Sequence, residues 1–497
     1  MNVLVILGYI FFCIYAVSLT YITLFCLMQL HLLYRYFYGK YGFTIAKKSL
    51  PSSYNSVPFV TVQLPVYNEK YVVERLIDNI VLLNYPKDKF EIHVLDDSTD
   101  DTRVITQRKV DEYQNKGFNI KLITRTDRTG YKAGALKEGM EKAKGEFIAI
   151  FDADFLPRPD FLRLTLPSFS DPDVGVVQTR WEHINQNYSL LTELQAFQLN
   201  VHFTVEQKGR YNAGYMLQFN GTAGIWRKSC ITDAGGWEAD TLTEDLDLSY
   251  RAQMKGWKIK YMEDVTSPSE LPAEINGLKS QQFRWMKGGA ETARKMLPKV
   301  WSSGISLNNK IQATVHLLSS SIFIFVFLMG VFSFPLLFLI DPLGLDTGKF
   351  SIFFASLLAI ILVYYVANVE VAWPKENKIK MVVKFIFLFP VFLALSMGLA
   401  FHNSLAVIQG FWGQKSSFVR TPKYGVRKKN DDVVKSIYFS RKLNNVAIGE
   451  GILSAYFFIA LYFGWQFDMK EFFALHILLA FGYLILFAYA VQSKFSK

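Results

Sequence analysis

GEFIAIFDAD, residues 145–154, is the stretch on which the fold turns. Five apolar residues, Phe147 to Phe151, stand between a Gly-Glu pair and two aspartates. A run this short, closed at both ends by polar residues, predicts a buried strand. Three earlier segments repeat the design: FVTVQLPVYN (59–68), FEIHVLDDS (90–98) and FNIKLITR (118–125). Between the first two lies EKYVVERLIDNIVLL, with helical apolar spacing, and GALKEGMEKAK follows Gly130. Strands alternating with helices predict an α/β domain on a parallel sheet. Ligands of such sheets bind beyond the carboxyl ends of the strands, where these polar residues sit.

Working outward, the composition changes on both sides. The chain has 497 residues, 51% apolar, 16% aromatic and 20% charged. That balance excludes a disordered or collagen-like chain and points to membrane segments around a folded domain. Three cysteines, Cys13, Cys26 and Cys230, give neither a disulfide framework nor a thiolate metal site. The net charge is +11. Its basic residues flank apolar segments and no nucleic-acid motif appears, so nucleic acid is not an expected partner. Positive-inside topology accounts for the excess, and an anionic substrate such as a nucleotide sugar would suit it.

Val3 to Tyr34 carries no charge and is long enough to cross a bilayer uncleaved. The basic flank after it, with Lys47 and Lys48, predicts a cytosolic side. The expected division is a transmembrane helix over 1–35, a cytosolic domain over 36–312, transmembrane or interfacial helices over 313–414, a cytosolic loop over 415–445, and two transmembrane helices with a short tail over 446–497. The apolar candidates after the domain are Val315–Ile340, Phe350–Val369, Met381–Gly413, Ile448–Trp465 and Phe472–Val491. Asp341–Lys349 suits the outside, and the basic Lys415–Lys442 the cytosol. Parity then requires an even number of crossings between domain and loop, so Met381–Gly413 is either a tight hairpin or an interfacial element.

Four features carry chemistry. Asp96 and Asp97 end a strand, where paired carboxylates call for a cation or for donors; taken alone, a turn with an Asx cap is the stronger reading of the pair. Asp152 and Asp154 form a DxD, and alternate residues of an extended chain face one side. Such a pair can share a hard cation, Mg²⁺ or Mn²⁺, that keeps substrate phosphates in its shell. Thr243–Glu244–Asp245 precedes a helical stretch, and also reads as an N-cap with acids in the first turn. Gln281, Arg284 and Trp285 make a QxxRW, with an aromatic face for a sugar and an arginine for phosphate.

In that order the four features resemble the family 2 glycosyltransferases, whose catalytic domain has the nucleotide-sugar-binding GT-A fold. The resemblance is to the membrane-embedded, cellulose synthase-like branch. FNGTAGIWR (219–227), GGWEADTLTEDLDLSYRAQMKGWK (235–258) and ELPAEINGLKSQQFRWMKGG (270–289) look most like the plant-type mannan and xyloglucan-backbone synthases and their bacterial relatives. The resemblance implies the following roles. Pro65, Tyr67 and Glu69 lie around the nucleotide base, and Asp97 contacts the nucleotide. Lys132 faces the diphosphate, which Asp152 and Asp154 hold through the metal. Asp245 is the general base. Gln281, Arg284 and Trp285 cradle acceptor and diphosphate, and Phe219, Gly221 and Thr222 lie near the acceptor end. SSFVRTPKYG (416–425) resembles the gating loop of processive synthases, FxVTxK. Phe418, Thr421 and Lys423 match it, and Arg420 stands where valine is usual.

The expected function is an inverting, processive glycosyltransferase. It would polymerise a β-1,4-glucan, mannan or glucomannan from UDP-glucose or GDP-mannose and translocate the growing chain across the bilayer. A non-processive lipid glycosyltransferase of the ceramide glucosyltransferase type is the second reading. Any envelope or regulatory partner would be a separate chain. A multi-pass protein of a bacterial plasma membrane is expected, with a Golgi membrane as the alternative.

Overall fold

The computed structural model describes residues 3–39, 57–345, 354–371, 377–416, 419–426 and 445–495. Seven strands form one sheet: β1 (Val60–Val66), β2 (Phe90–Asp96), β3 (Ile120–Thr124), β4 (Phe147–Ile150), β5 (Val174–His183), β6 (Gly224–Arg227) and β7 (Lys258–Ser269). Their order is β3-β2-β1-β4-β6-β5-β7. The four segments read as strands from the sequence are β1 to β4, all mutually parallel as expected.

The sheet is mixed, not purely parallel. β6 runs antiparallel to both of its neighbours, β4 and β5. It therefore starts where the parallel strands end. This direction brings the polar FNGT, immediately before β6, to the carboxyl ends of β1, β2 and β4. β5 and β7 pair in parallel and finish at the same end, His183 opposite Ser269. Every strand except β6 thus delivers its last residues to one rim.

Both faces of the sheet are covered. Helix Val73–Ile80 buries Val73, Leu76, Ile77 and Ile80, spaced as one helical stripe, against Val62, Leu64 and Val94. Each fully buried aliphatic side chain of this kind contributes about 1.5–3 kcal/mol. The opposite face packs Leu95, Ile148, Ile150 and Trp226 against Leu136 and Leu248.

Among the described residues, five helices are long and apolar enough to cross a membrane: Val5–Tyr38, Ser319–Leu336, Lys378–Gly398, Asn445–Gln466 and Lys470–Gln492. Phe354–Tyr365 is shorter and continues as one π-helical turn to Glu370. The stretch Met381–Gly413 is two helices, Lys378–Gly398 and Ala400–Trp412, broken at Leu399. The first crosses the last helix at a glycine pair: a Cβ on Gly398 would stand 2.5 Å from the backbone of Gly482. Small residues at such a crossing let two backbones approach closely. The second helix packs against the helix Ile275–Ser302, where a Cβ on Gly410 would stand 2.5 Å from the carbonyl oxygen of Lys287. Lys384, near the start of the pair, makes an ion pair with Glu193, and Arg294 donates to the carbonyl of Phe411 near its end at 3.2 Å. Both ends of the pair are therefore tied to the α/β domain.

Candidate active site

Asp152 and Asp154 lie just past β4, in a turn rather than on the extended chain expected from the sequence, with Phe155 N–H donating back to the Asp152 carbonyl at 3.0 Å. The turn separates the two environments. The Asp152 side chain is 34% exposed and that of Asp154 is 8% exposed. Lys132 Nζ sits 2.5 Å from Asp152 Oδ1, and Lys423 Nζ sits 2.7 Å from Asp154 Oδ2. Each carboxylate of the DxD thus already holds one cation. The Glu270 N–H donates to Asp154 Oδ2 at 3.0 Å, and the Asp152 N–H to Thr222 Oγ1 at 2.8 Å.

Glu244 and Asp245 open the helix Glu244–Met254. Thr243 makes no side-chain cap there; its hydroxyl meets Thr292 at 3.0 Å instead. Gly288 lets the helix of the QxxRW motif come that close, since a Cβ on it would stand 2.6 Å from Thr243 Cγ2. The FNGT loop passes over the same acids. Gly221 has φ +77°, and a Cβ there would stand 3.1 Å from Asp245 Oδ2. Its carbonyl accepts from Lys132 Nζ at 2.9 Å.

These groups share one electrostatic field. Burial, then the neighbouring Glu244 carboxylate, push Asp245 up to about 7, against the pull of Lys132. Burial raises Glu244 as well. Burial disfavours the charge on Lys132, but Asp152, Glu244 and Asp245 outweigh it and hold the ammonium protonated above its usual range. Arg284 is lowered by burial and opposed by Asp152, Glu244, Asp245 and Asp154. The DxD, the TED and the arginine of QxxRW, from three separate elements, are therefore brought together.

The segment with Pro65, Tyr67 and Glu69 and the Asp96–Asp97 pair lie at the carboxyl ends of β1 and β2. Asp96 is fully buried and its Oδ1 accepts from Ser98 N–H at 2.7 Å, an Asx turn. Asp97 is paired through both oxygens with Arg125. The Arg128 guanidinium lies 3.2 Å from the centre of the Tyr67 ring. Pro65 is in β1 opposite Leu95 of β2. Glu69 forms an ion pair with Arg420 at 2.7 Å, and burial pushes its carboxyl up to about 8.

Two expectations need revision. Phe219 is a core ring, fully buried and edge-on to Trp226 at 5.5 Å, beneath the site rather than open to an acceptor. Thr222 is also fully buried, and its hydroxyl anchors Asp152. Phe418 lies outside the described residues. Thr421 is buried, and Lys423 reaches the DxD. Gln281 is half-buried on the long helix beside Gln282. Trp285 lines, with Asp245, a cavity of about 760 Å³ that continues past Tyr15, Phe323 and Phe392 between the apolar helices.

The sequence reading passed over several residues at this rim. Trp181 and Asn220 line the cavity. Buried Glu270 accepts from Tyr424 and Gly425 N–H at 2.8 and 3.0 Å, clasping the segment that carries Lys423. Trp181 and Glu270 end strand-like stretches, and that position was the available signal. Asp154 and Asp152 offer hard oxygen donors in one turn, with ammonium groups standing on both, so they fit a divalent cation. The acidic cluster Glu238, Asp240 and Asp247 is a separate feature, and Lys295 sits 2.6, 2.8 and 3.0 Å from its three carboxylates.

Residues 58–288 match the family described as "Glycosyltransferase like family 2". A probable glucomannan 4-beta-mannosyltransferase of Oryza sativa subsp. japonica is 41% identical over 301 residues, 59% of this chain and 54% of the relative. Glucomannan 4-beta-mannosyltransferase 7 of Arabidopsis thaliana is 42% identical over 261 residues, 51% of this chain and 47% of the relative. The chain thus spans about half the length of the curated relatives it matches. Among solved structures, a mannosyltransferase of Pyrobaculum calidifontis in complex with GDP-Man and Mn²⁺ has a TM-score of 0.51 at 19% identity, covering 81% of this chain and 99% of that one. That likeness shows the fold, a GT-A-like mixed sheet. Sheet, motifs and relatives agree over the matched segment: residues 58–288 form a glycosyltransferase family 2 domain.

Proposed function

We propose that this protein is an inverting β-mannosyltransferase that builds a β-linked mannan or glucomannan from GDP-mannose and passes the growing chain into the membrane region. The observation that carries the reading is the position of Asp245, on the wall of the cavity that runs from the transferase rim between the apolar helices. The mannosyl preference follows the relatives' names, and the nucleotide follows the Pyrobaculum calidifontis neighbour in complex with GDP-Man.

The chain's own residues support the chemistry. Asp97, held by Arg125, and Tyr67, under Arg128, form the nucleotide end. Asp152 and Asp154 would hold Mg²⁺ or Mn²⁺, which supplies charge neutralisation for the leaving diphosphate. Lys132 and Arg284 add positive charge at the same place. Asp245 takes the proton of the acceptor hydroxyl as it attacks opposite the diphosphate, so an α-linked donor gives a β-linkage. A base raised to about 7 is well matched to that task near neutral pH. Trp285 offers the acceptor an aromatic face, and Gly221 leaves room for it beside Asp245.

We place the transferase domain and residues 419–426 on the same, cytosolic side. Lys423 on Asp154 and Arg420 on Glu69 support this, because the loop touches the rim itself. The pair of helices over 378–412 then enters and returns, keeping the number of crossings even.

Purified protein in lipid nanodiscs, given radiolabelled GDP-mannose or UDP-glucose with Mn²⁺, tests the donor. The reading expects label from GDP-mannose in a product cut by endo-β-1,4-mannanase. Label from UDP-glucose alone would refute the mannosyl assignment.

A further inference from the structure

The helix Ile275–Ser302 carries QxxRW, and two lysines bracket that motif. Lys279 stands two residues before Gln281, and Lys287 two residues after Trp285. The chemistry at the rim uses neither. At 3.6 residues per turn the lysines lie about 80° apart around the axis, and Gln281, Arg284 and Trp285 centre on the opposite side. Both ammonium groups are withdrawn from solvent. Lys287 is fully buried, and its Nζ donates to Ser416 Oγ at 2.8 Å. Lys279 is 13% exposed, and its Nζ lies 2.6 Å from Oε2 of the fully buried Glu450. Glu450 belongs to Asn445–Gln466, one of the helices apolar enough to span a membrane. A carboxylate in such a helix is costly unless paired, and it marks function.

The two partners flank one stretch of chain. Ser416 precedes residues 419–426 and Glu450 follows them. Those residues lie on the rim: Lys423 on Asp154, Arg420 on Glu69, and the Tyr424 and Gly425 N–H groups on Glu270. The helix also touches the segment itself, since a Cβ on Gly277 would stand 3.9 Å from Thr421 Cγ2. One helix thus holds this chain before, within and after its contact with the rim, and carries the transfer motif on its other side.

We propose that Lys279 and Lys287 are positioning residues. They clasp the two flanks of residues 419–426 to the back of the QxxRW helix, so that Lys423 reaches Asp154 only while that helix is seated against the acids. The proposal rests on reading the rim as the transferase site.

Spin labels test the clasps in the full chain in lipid nanodiscs. Exposed Val419 and exposed Val104, on the helix Thr102–Asn115, take the labels in a background lacking Cys13, Cys26 and Cys230. Double electron–electron resonance should give one narrow distance distribution when both clasps are intact. It should broaden in Lys287→Met and in Lys279→Met/Glu450→Leu, which removes both charges and leaves no lone buried ion. Lys279→Arg should keep it narrow. Labels at Val104 and Leu164, both on the α/β domain, should give the same distribution in every variant, which a merely loosened fold would not. Transfer, from whichever of GDP-mannose and UDP-glucose labels product, should fall by up to about 100-fold in the clasp variants, the scale of a misplaced group. These losses should not add to that of Lys423→Ala, because both act through one contact. A Val419–Val104 distribution unchanged in both clasp variants, or transfer losses that add fully to that of Lys423→Ala, would overturn the proposal and leave the rim standing as the transferase site. Full transfer in Asp245→Asn would instead refute that reading of the rim, and the assigned role in transfer with it.

Discussion

Asp245 is the base of the proposed function, and three things meet there: burial, a like charge on Glu244, and a cation on Lys132. Removing its basicity while keeping its shape should lower turnover about 10²–10⁴-fold, the usual worth of general-base help. Asp245→Asn should therefore bind donor normally yet turn over at that reduced rate, as read by single-turnover transfer and by nucleotide titration. The pH dependence has a definite sign. The ionised carboxylate is the active form, so the rate should rise with pH through about 7 and level off above it. Below that value it should fall about tenfold per pH unit, and Asp245→Asn should lose this limb. Part of the residue scale was readable in advance: DxD, TED and QxxRW are contiguous motifs, and Asp152, Asp154, Glu244 and Asp245 do share one field with Arg284, whereas Asp97 of the DD pair is held by Arg125. The pairing of Lys423 with Asp154 was not readable, because those residues are 269 apart in sequence. Nor was the burial of Phe219, since an aromatic beside Asn-Gly-Thr reads equally as a contact surface or as core.

Helix contacts decide whether these residues stay in register. The long helix Ile275–Ser302 brings QxxRW to the acids only because Gly288 admits Thr243 and Gly410 lets the helix Ala400–Trp412 lie against it. Gly288→Leu should push the two elements apart. We expect a destabilisation of about 1–3 kcal/mol, typical of overpacking, with a lower Tm in nanodiscs and a loss of transfer larger than the loss of fold. Gly410→Leu should lower the Tm similarly, since its Cβ would meet backbone rather than a movable side-chain tip. Strand periodicity located β1 to β4 because each is a local run of buried apolar residues. The direction of β6 escaped it: GIWR is four residues long, and no local pattern distinguishes a parallel from an antiparallel neighbour. Crossing parity allowed a hairpin within Met381–Gly413, but not its position at Leu399, because both helices around it are apolar and the signal for turning back lies in glycines that meet distant backbone.

At the scale of the whole molecule, the proposed function has a cytosolic transferase rim opening into the cavity bounded by apolar helices. Topology can be checked separately from activity. Single cysteines at Lys378 and Trp412, in a background lacking Cys13, Cys26 and Cys230, should both react with an impermeant thiol reagent from the side bearing the transferase domain. Labelling from opposite sides would break the enter-and-return arrangement. The most direct test of polymerisation is the length of the product when only a small fraction of donor has been consumed by purified protein in nanodiscs. Few, long, mannanase-sensitive chains are predicted at that stage if, as proposed, the acceptor stays in the cavity between additions. A product confined to a lipid-extractable species bearing one sugar would contradict the account.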